Sequence, residues 1–168
     1  MNRVARKGFT LVEILIVVII LGILAAIVIP QFTEASSEAR VSNLMTNLQT
    51  IRSQLLLYKT QHTENFPASG AGEDGTTFAD QMTQYTDVDG NTNATPSGDY
   101  PYGPYLQSVP SNPISGDNTV RVVQDAATSF SAPGDDGGWW FNTETGEFRA
   151  DLKDSHTTTD GETKLNEL

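Results

Sequence analysis

The chain opens on a short polar, basic stretch and then turns apolar. From residue 14 to residue 29 every position is apolar, Gly22 included; counted over 11–29 the run is 19 residues with one charge, Glu13. A helix needs about 20 apolar residues to cross a bilayer core, so the run predicts a membrane-crossing helix over 9–29. It is apolar on every side, unlike a surface helix of a soluble domain. An export signal would carry a shorter apolar region closed by a small-residue cleavage site. Here Ala25-Ala26 continues into Ile-Val-Ile-Pro.

Past Pro30 the pattern becomes amphipathic. Val41, Leu44, Leu48, Ile51, Leu55 and Tyr58 step by 3, 4, 3, 4, 3, with Met45 and Leu56 widening the stripe. Ser42, Asn43, Asn47, Gln49, Ser53 and Lys59 occupy the other face. This spacing predicts a second helical stretch over 30–64 that lays one face on a core. It should end before Asn65-Phe66-Pro67, because the residue ahead of a proline disfavours the helical conformation.

Residues 65–151 read as a small α+β head. Thr77-x-x-Asp80 has the form of a helix-capping pattern. Phe78, Met82 and Tyr85 would then share one face of a short helix. Residues 87–98 read as loop, with Asp87-Val-Asp-Gly-Asn91 as a turn. Three short β-type runs follow: Val120-Arg-Val-Val123, Trp139-Trp-Phe-Asn142 and Glu147-Phe-Arg-Ala150. Asn142-Thr-Glu-Thr-Gly146 is the expected turn between the last two. Residues 152–168 read as a polar tail without packed structure. The fold class is α+β: a long N-terminal helix whose outer half packs on a small antiparallel sheet.

Charge narrows the function. The chain has 21 acidic and 10 basic residues, a net −11. Arg3, Arg6 and Lys7 account for three of the ten bases, so the rest of the chain stands at 7 − 21 = −14. Nucleic-acid binding rests on lysine and arginine neutralising phosphates, and none is expected here. The basic start places the N-terminus in the cytoplasm and the head outside the membrane. There is no cysteine, which removes disulfides and thiolate chemistry. The two histidines, His62 and His156, suggest neither a metal cluster nor a triad, and no nucleophile elbow or phosphate loop occurs. A membrane-tethered enzyme is the rival reading from another class; the expectation is that the chain is not an enzyme.

Lys7-Gly8-Phe9-Thr10-Leu11-Val12-Glu13, the apolar run and Pro30 closely resemble the N-terminus of type IV prepilins and type II secretion pseudopilins. The resemblance covers residues 6–32. It implies a leader over 1–8, cleavage between Gly8 and Phe9 by a membrane prepilin peptidase, and N-methylation of Phe9. It further implies a homo-oligomeric filament, made with an inner-membrane assembly platform and minor pilins or pseudopilins, from a subunit first held in bacterial inner-membrane lipid. The head would be periplasmic or extracellular.

Within this frame Glu13 has two readings. An acid in a first helical turn is favoured by the helix dipole. A carboxylate in an apolar segment is also costly enough to mark function, and Glu13 would pair with the Phe9 amine of a neighbouring subunit during assembly. Gly22 and Pro30 likewise have two readings, as sites where the helix loosens in a filament or as an ordinary kink in a membrane helix.

Tyr102-Gly-Pro-Tyr-Leu-Gln-Ser-Val-Pro-Ser-Asn-Pro113 is similar to a connection in major pseudopilins, and residues 138–149 resemble the Trp-containing terminal hairpin of related proteins. The resemblance therefore favours a secretion pseudopilin over a pilus subunit serving adhesion, motility or DNA uptake. It also raises calcium as a cofactor near Asp117, Asp125, Asp135 and Asp136. The loop departs from the family pattern there, and no calcium ligands are carried over.

Overall fold

The computed structural model describes residues 8–70, 72 and 74–168. The chain divides into two compact units, Met1–Ser37 and Glu38–Leu168. Helix α1 (Leu11–Gln61) begins in the first and ends in the second. Arg3, Arg6 and Lys7, on which the expected membrane orientation rests, lie outside the described residues.

In the first unit α1 leaves its apolar side chains uncovered all round. By length and composition it is a helix able to cross a membrane. Pro30 lies inside the helix and does not end it. A proline has no N–H for the i−4 carbonyl. One turn on, the Thr33 hydroxyl donates to the Ile29 carbonyl at 3.2 Å.

In the second unit the 3-4 stripe faces inward: Leu44, Leu48, Ile51, Leu55 and Tyr58 of α1 are buried. Full burial of such an aliphatic side chain stabilises by roughly 1.5–3 kcal/mol. The helix ends at Gln61, ahead of the Asn65-Phe66-Pro67 stop. The same core takes side chains from a three-stranded sheet: β3 (Val120–Val123), β4 (Trp139–Asn142) and β5 (Phe148–Ala150), ordered β3-β4-β5.

Strands β4 and β5 form the expected antiparallel hairpin, with Phe141 opposite Phe148. Its turn is fixed by the Asn142 side chain, whose Oδ1 accepts from the backbone N–H of Glu144 and Thr145. Gly146 supplies the left-handed position, φ 75°. Strand β3 differs from expectation. It runs parallel to β4, Val120 opposite Trp139, so the sheet is mixed. Parallel neighbours need a long crossover, and residues 124–138 supply one without a helix. This crossover covers the outer face of the sheet: Phe130 packs edge-on at 5.5 Å from Trp140, and the Ser131 carbonyl accepts from Arg121. Trp140, which strand alternation turns away from the core, is therefore wholly buried between Arg121 and Arg149 on the flanking strands.

Helix α2 (Gly75–Thr83) is capped three residues before the expected cap, Thr77. Asp74 is its N-cap: Oδ1 accepts from the Thr76 N–H and Oδ2 from the Thr77 hydroxyl. Thr77 is thus a partner of the cap and Asp80 lies mid-helix. Phe78 and Met82 are buried as expected, but Tyr85 belongs to strand β1 (Tyr85–Thr86), paired with β2 (Thr92–Asn93). Between them Asp87 accepts from the N–H groups of Asp89 and Asn91, which makes the segment the turn read from the sequence.

The stretch 152–168 is not a frayed tail. Leu152 and Leu165 enter the core, and a 3-10 turn forms over Leu165–Glu167. Arg52 of α1 donates to the Phe148 and Leu168 carbonyls, both at 2.8 Å, and Asn166 donates to the Leu152 carbonyl at 2.8 Å. Polar anchors and two leucines fold this segment down where a long apolar run is lacking.

Candidate functional site at the start of the apolar helix

The sequence candidates Gly8, Phe9, Glu13, Gly22 and Pro30 all lie in the first unit. Gly8 and Phe9 precede the helix and are exposed, Phe9 by 79%. A Cβ built on Gly8 meets nothing within 4 Å. The bond between them is accessible and free of secondary structure, as a protease substrate must be.

Glu13 is joined to a residue that the sequence reading missed. The Thr10 backbone N–H and hydroxyl both donate to Glu13 Oε2, at 2.9 Å each, and the Glu13 N–H donates back to Thr10 Oγ1 at 3.2 Å. This is a reciprocal capping box, in which the two residues satisfy orphan donors at the start of a helix. Its signal, Thr followed three residues later by Glu ahead of an apolar run, was present in the sequence. The carboxylate is therefore locally satisfied through one oxygen; Oε1 takes no hydrogen bond among the described residues.

Gly22 and Pro30 are not brought to Glu13. A Cβ on Gly22 would meet nothing within 4 Å, so no contact among the described residues requires glycine there. Around the whole segment the apolar side chains are left exposed among the described residues; Leu11 is 82% and Ile29 64% exposed.

The carboxylates of the acidic loops are taken up by their own neighbours. Asp117 accepts from the Thr119 N–H and hydroxyl, which hold its carboxyl below the ordinary range. Asp125 is engaged by Ala127 and Thr128, and Asp136 by the Lys153 N–H and the His156 ring. Asp135 stands out in solvent near Lys153. Among the described residues no three His, Cys, Asp or Glu side chains are grouped as metal ligands.

The family model for the prokaryotic N-terminal methylation motif matches residues 3–29. The chain is 44% identical over 59 residues to the type II secretion system core protein G of Pseudomonas aeruginosa, covering 35% of this chain and 42% of that one. It is 25% identical over 138 residues to the protein of the same description in Klebsiella michiganensis, covering 82% and 89%. It is 46% identical over 50 residues to a type IV major fimbrial protein FimA of Dichelobacter nodosus, covering 30% and 32%. The chain thus spans less than half the length of the Pseudomonas and Dichelobacter relatives. No solved structure matches it.

Proposed function

We propose that this chain, a type IV pilin-like protein, is a structural subunit of a helical filament drawn from a membrane, of the type II secretion pseudopilin kind. The observation that carries the reading is a helix uncovered on all sides, headed by an exposed Phe9 and holding its carboxylate at Glu13. Such a helix can leave lipid only for another apolar setting, and stacked copies provide one. A head-to-tail contact whose rotation does not close makes a fibre. The lengthwise similarity to a core protein G favours the pseudopilin; the match to FimA covers 30% of the chain, which leaves a pilus subunit as the weaker reading.

The mechanism follows from the N-terminal residues. A prepilin peptidase hydrolyses the Gly8–Phe9 bond, and Gly8 gives it unobstructed backbone. Cleavage removes Arg3, Arg6 and Lys7 and leaves an amine on Phe9, which the same class of enzyme methylates. The Phe9 amine of one subunit then meets Glu13 of the next; opposite charges satisfy each other where lipid cannot. Glu13 thus begins as half of a local cap and ends as an axial register mark. An inner-membrane platform and minor pseudopilins complete the assembly, with the N-terminus cytoplasmic and the acidic head outside.

Glu13→Gln tests this. Glutamine can keep the capping geometry while removing the charge. The variant should insert and be cleaved as usual yet form no filaments; wild-type filaments from it would refute the pairing.

A further inference from the structure

One buried titratable group has no part in assembly. His62, in the turn after α1, is 1% exposed. Its ring stacks on Tyr58 at 3.7 Å and 5°, and meets Tyr102 and Tyr105 edge-on at 5.4 and 6.1 Å. Nδ1 lies 2.8 Å from the Tyr58 carbonyl and Nε2 lies 2.9 Å from Thr86 Oγ1. A carbonyl can only accept, so Nδ1 carries the hydrogen. In the neutral ring Nε2 is then a bare acceptor, and the Thr86 hydroxyl must donate to it. This fixes the direction of the one side-chain bond that ties the His62 ring to β1.

We propose that His62 is an acid-operated latch between the end of α1 and the segment running from β1 to Tyr102. A second proton on Nε2 converts that acceptor into a donor. Thr86 Oγ1 can then accept from it only by turning its own hydrogen out of the bond, and a cation is created inside an aromatic enclosure. Thr86 is the hinge of the segment, since its backbone exchanges hydrogen bonds with Tyr102 at 3.0 and 3.1 Å. Reversal of that bond beside a buried cation loosens both.

The groups that face the ring determine the outcome. From α1 comes the Tyr58 phenol, and from residues 102–105 the phenols of Tyr102 and Tyr105. From the β1–β2 turn comes Asp87, whose carboxylate is already occupied by Asp89 and Asn91. A cavity of about 320 Å³ beside the ring is lined by Asp89 of that turn, Glu144 of the β4–β5 turn and the uncharged Gln81 of α2. Burial pushes the imidazole below its ordinary value of 6.5, against the opposing pull of the Tyr58 carbonyl and Asp87. The cavity gives water and the proton a route in. A filament whose heads lie outside would meet that proton in the medium; that clause rests on the proposed function, while the latch does not.

The test uses the full chain in detergent micelles. Imidazole NMR signals are followed from pH about 7.5 downward over about 3 units, with His156→Gln used to assign the two histidines. Deuterium uptake of residues 85–102 is measured over the same range and corrected for the intrinsic exchange rate. The latch predicts that His62 takes its second proton below 6.5. Uptake should rise by up to about tenfold per pH unit as pH falls toward the His62 midpoint, level off below it, and stay flat in His62→Phe, which keeps the stacking. Uptake that does not follow the His62 titration, or that rises equally in His62→Phe, overturns the proposal. If His62→Phe does not fold, the coincidence of the two midpoints in the wild-type chain decides alone.

Discussion

Gly146→Ala strikes the β4–β5 hairpin turn, where the Phe66 ring lies directly against the glycine. Gly146 holds φ 75°, a left-handed conformation that costs an L-residue roughly 1–2 kcal/mol. Its Cβ would lie 2.2 Å from Phe66 Cζ and 2.6 Å from Cε2, where ordinary contact begins at 3.4 Å. The Phe66 ring must therefore retreat by about 3.4 − 2.2 = 1.2 Å. It has little room, being 8% exposed, edge-on to Phe141 at 6.0 Å and capped by the Lys59 amine 4.7 Å from its centroid. Overpacking of this kind costs about 1–3 kcal/mol, so the total loss is about 2–5 kcal/mol. The assay is urea unfolding of the full chain in detergent micelles, read by the fluorescence of the buried Trp139 and Trp140. In a Phe66→Ala background the clash disappears, and Gly146→Ala should cost only its backbone share, about 1–2 kcal/mol. Gly134→Ala, with nothing within 4 Å of its Cβ, is the control and should stay within about 0.5 kcal/mol. A Gly146→Ala loss inside that control range, or one that is unchanged by Phe66→Ala, would refute the reasoning.

Thr143 Oγ1 is buried with no hydrogen-bond partner among the described residues. An unsatisfied hydroxyl costs about 1–3 kcal/mol, so Thr143→Val should leave stability unchanged or raise it by about 1 kcal/mol; a clear loss in the same urea assay would show that the hydroxyl has a partner. The pH dependence of the head should show an acid limb from Asp136, whose carboxyl is held below its ordinary 3.8, first by the Lys153 N–H and then by the His156 ring. A depressed carboxyl contributes stability that is complete above 3.8 and lost as pH falls through the folded value. Asp136→Asn should flatten that limb, and an unchanged limb would assign it to other carboxyls.

How much of this was legible depended on whether the determinant was local. The inward stripe of α1 could be read because 3-4 spacing maps directly onto a helix face, and the β4–β5 hairpin because Asn142 and Gly146 announce its turn. The parallel pairing of β3 could not, because strand direction is set by the path of residues 124–138 and by Trp140 needing cover, neither of which leaves a periodic trace. The capping rule was applied in the wrong place. Thr77-x-x-Asp80 fitted it loosely, but Asp74 had the better geometry at α2; Thr10-x-x-Glu13 fitted it fully and carries the box at the start of α1. The folded stretch 152–168 was missed because Leu152 and Leu165 are isolated leucines in polar surroundings, held down by Arg52 and Asn166 from a distance the sequence does not encode.

The central claim turns on what becomes of the Gly8–Phe9 bond, and the intact mass of the protein recovered from membranes of its native host reads that directly. A species beginning at Phe9, alone or carrying one methyl group, is the predicted result and makes filament assembly the working mechanism. A chain still beginning at Met1 would mean a permanent membrane anchor, and one cleaved after the apolar run an ordinary exported protein. Either would contradict the account.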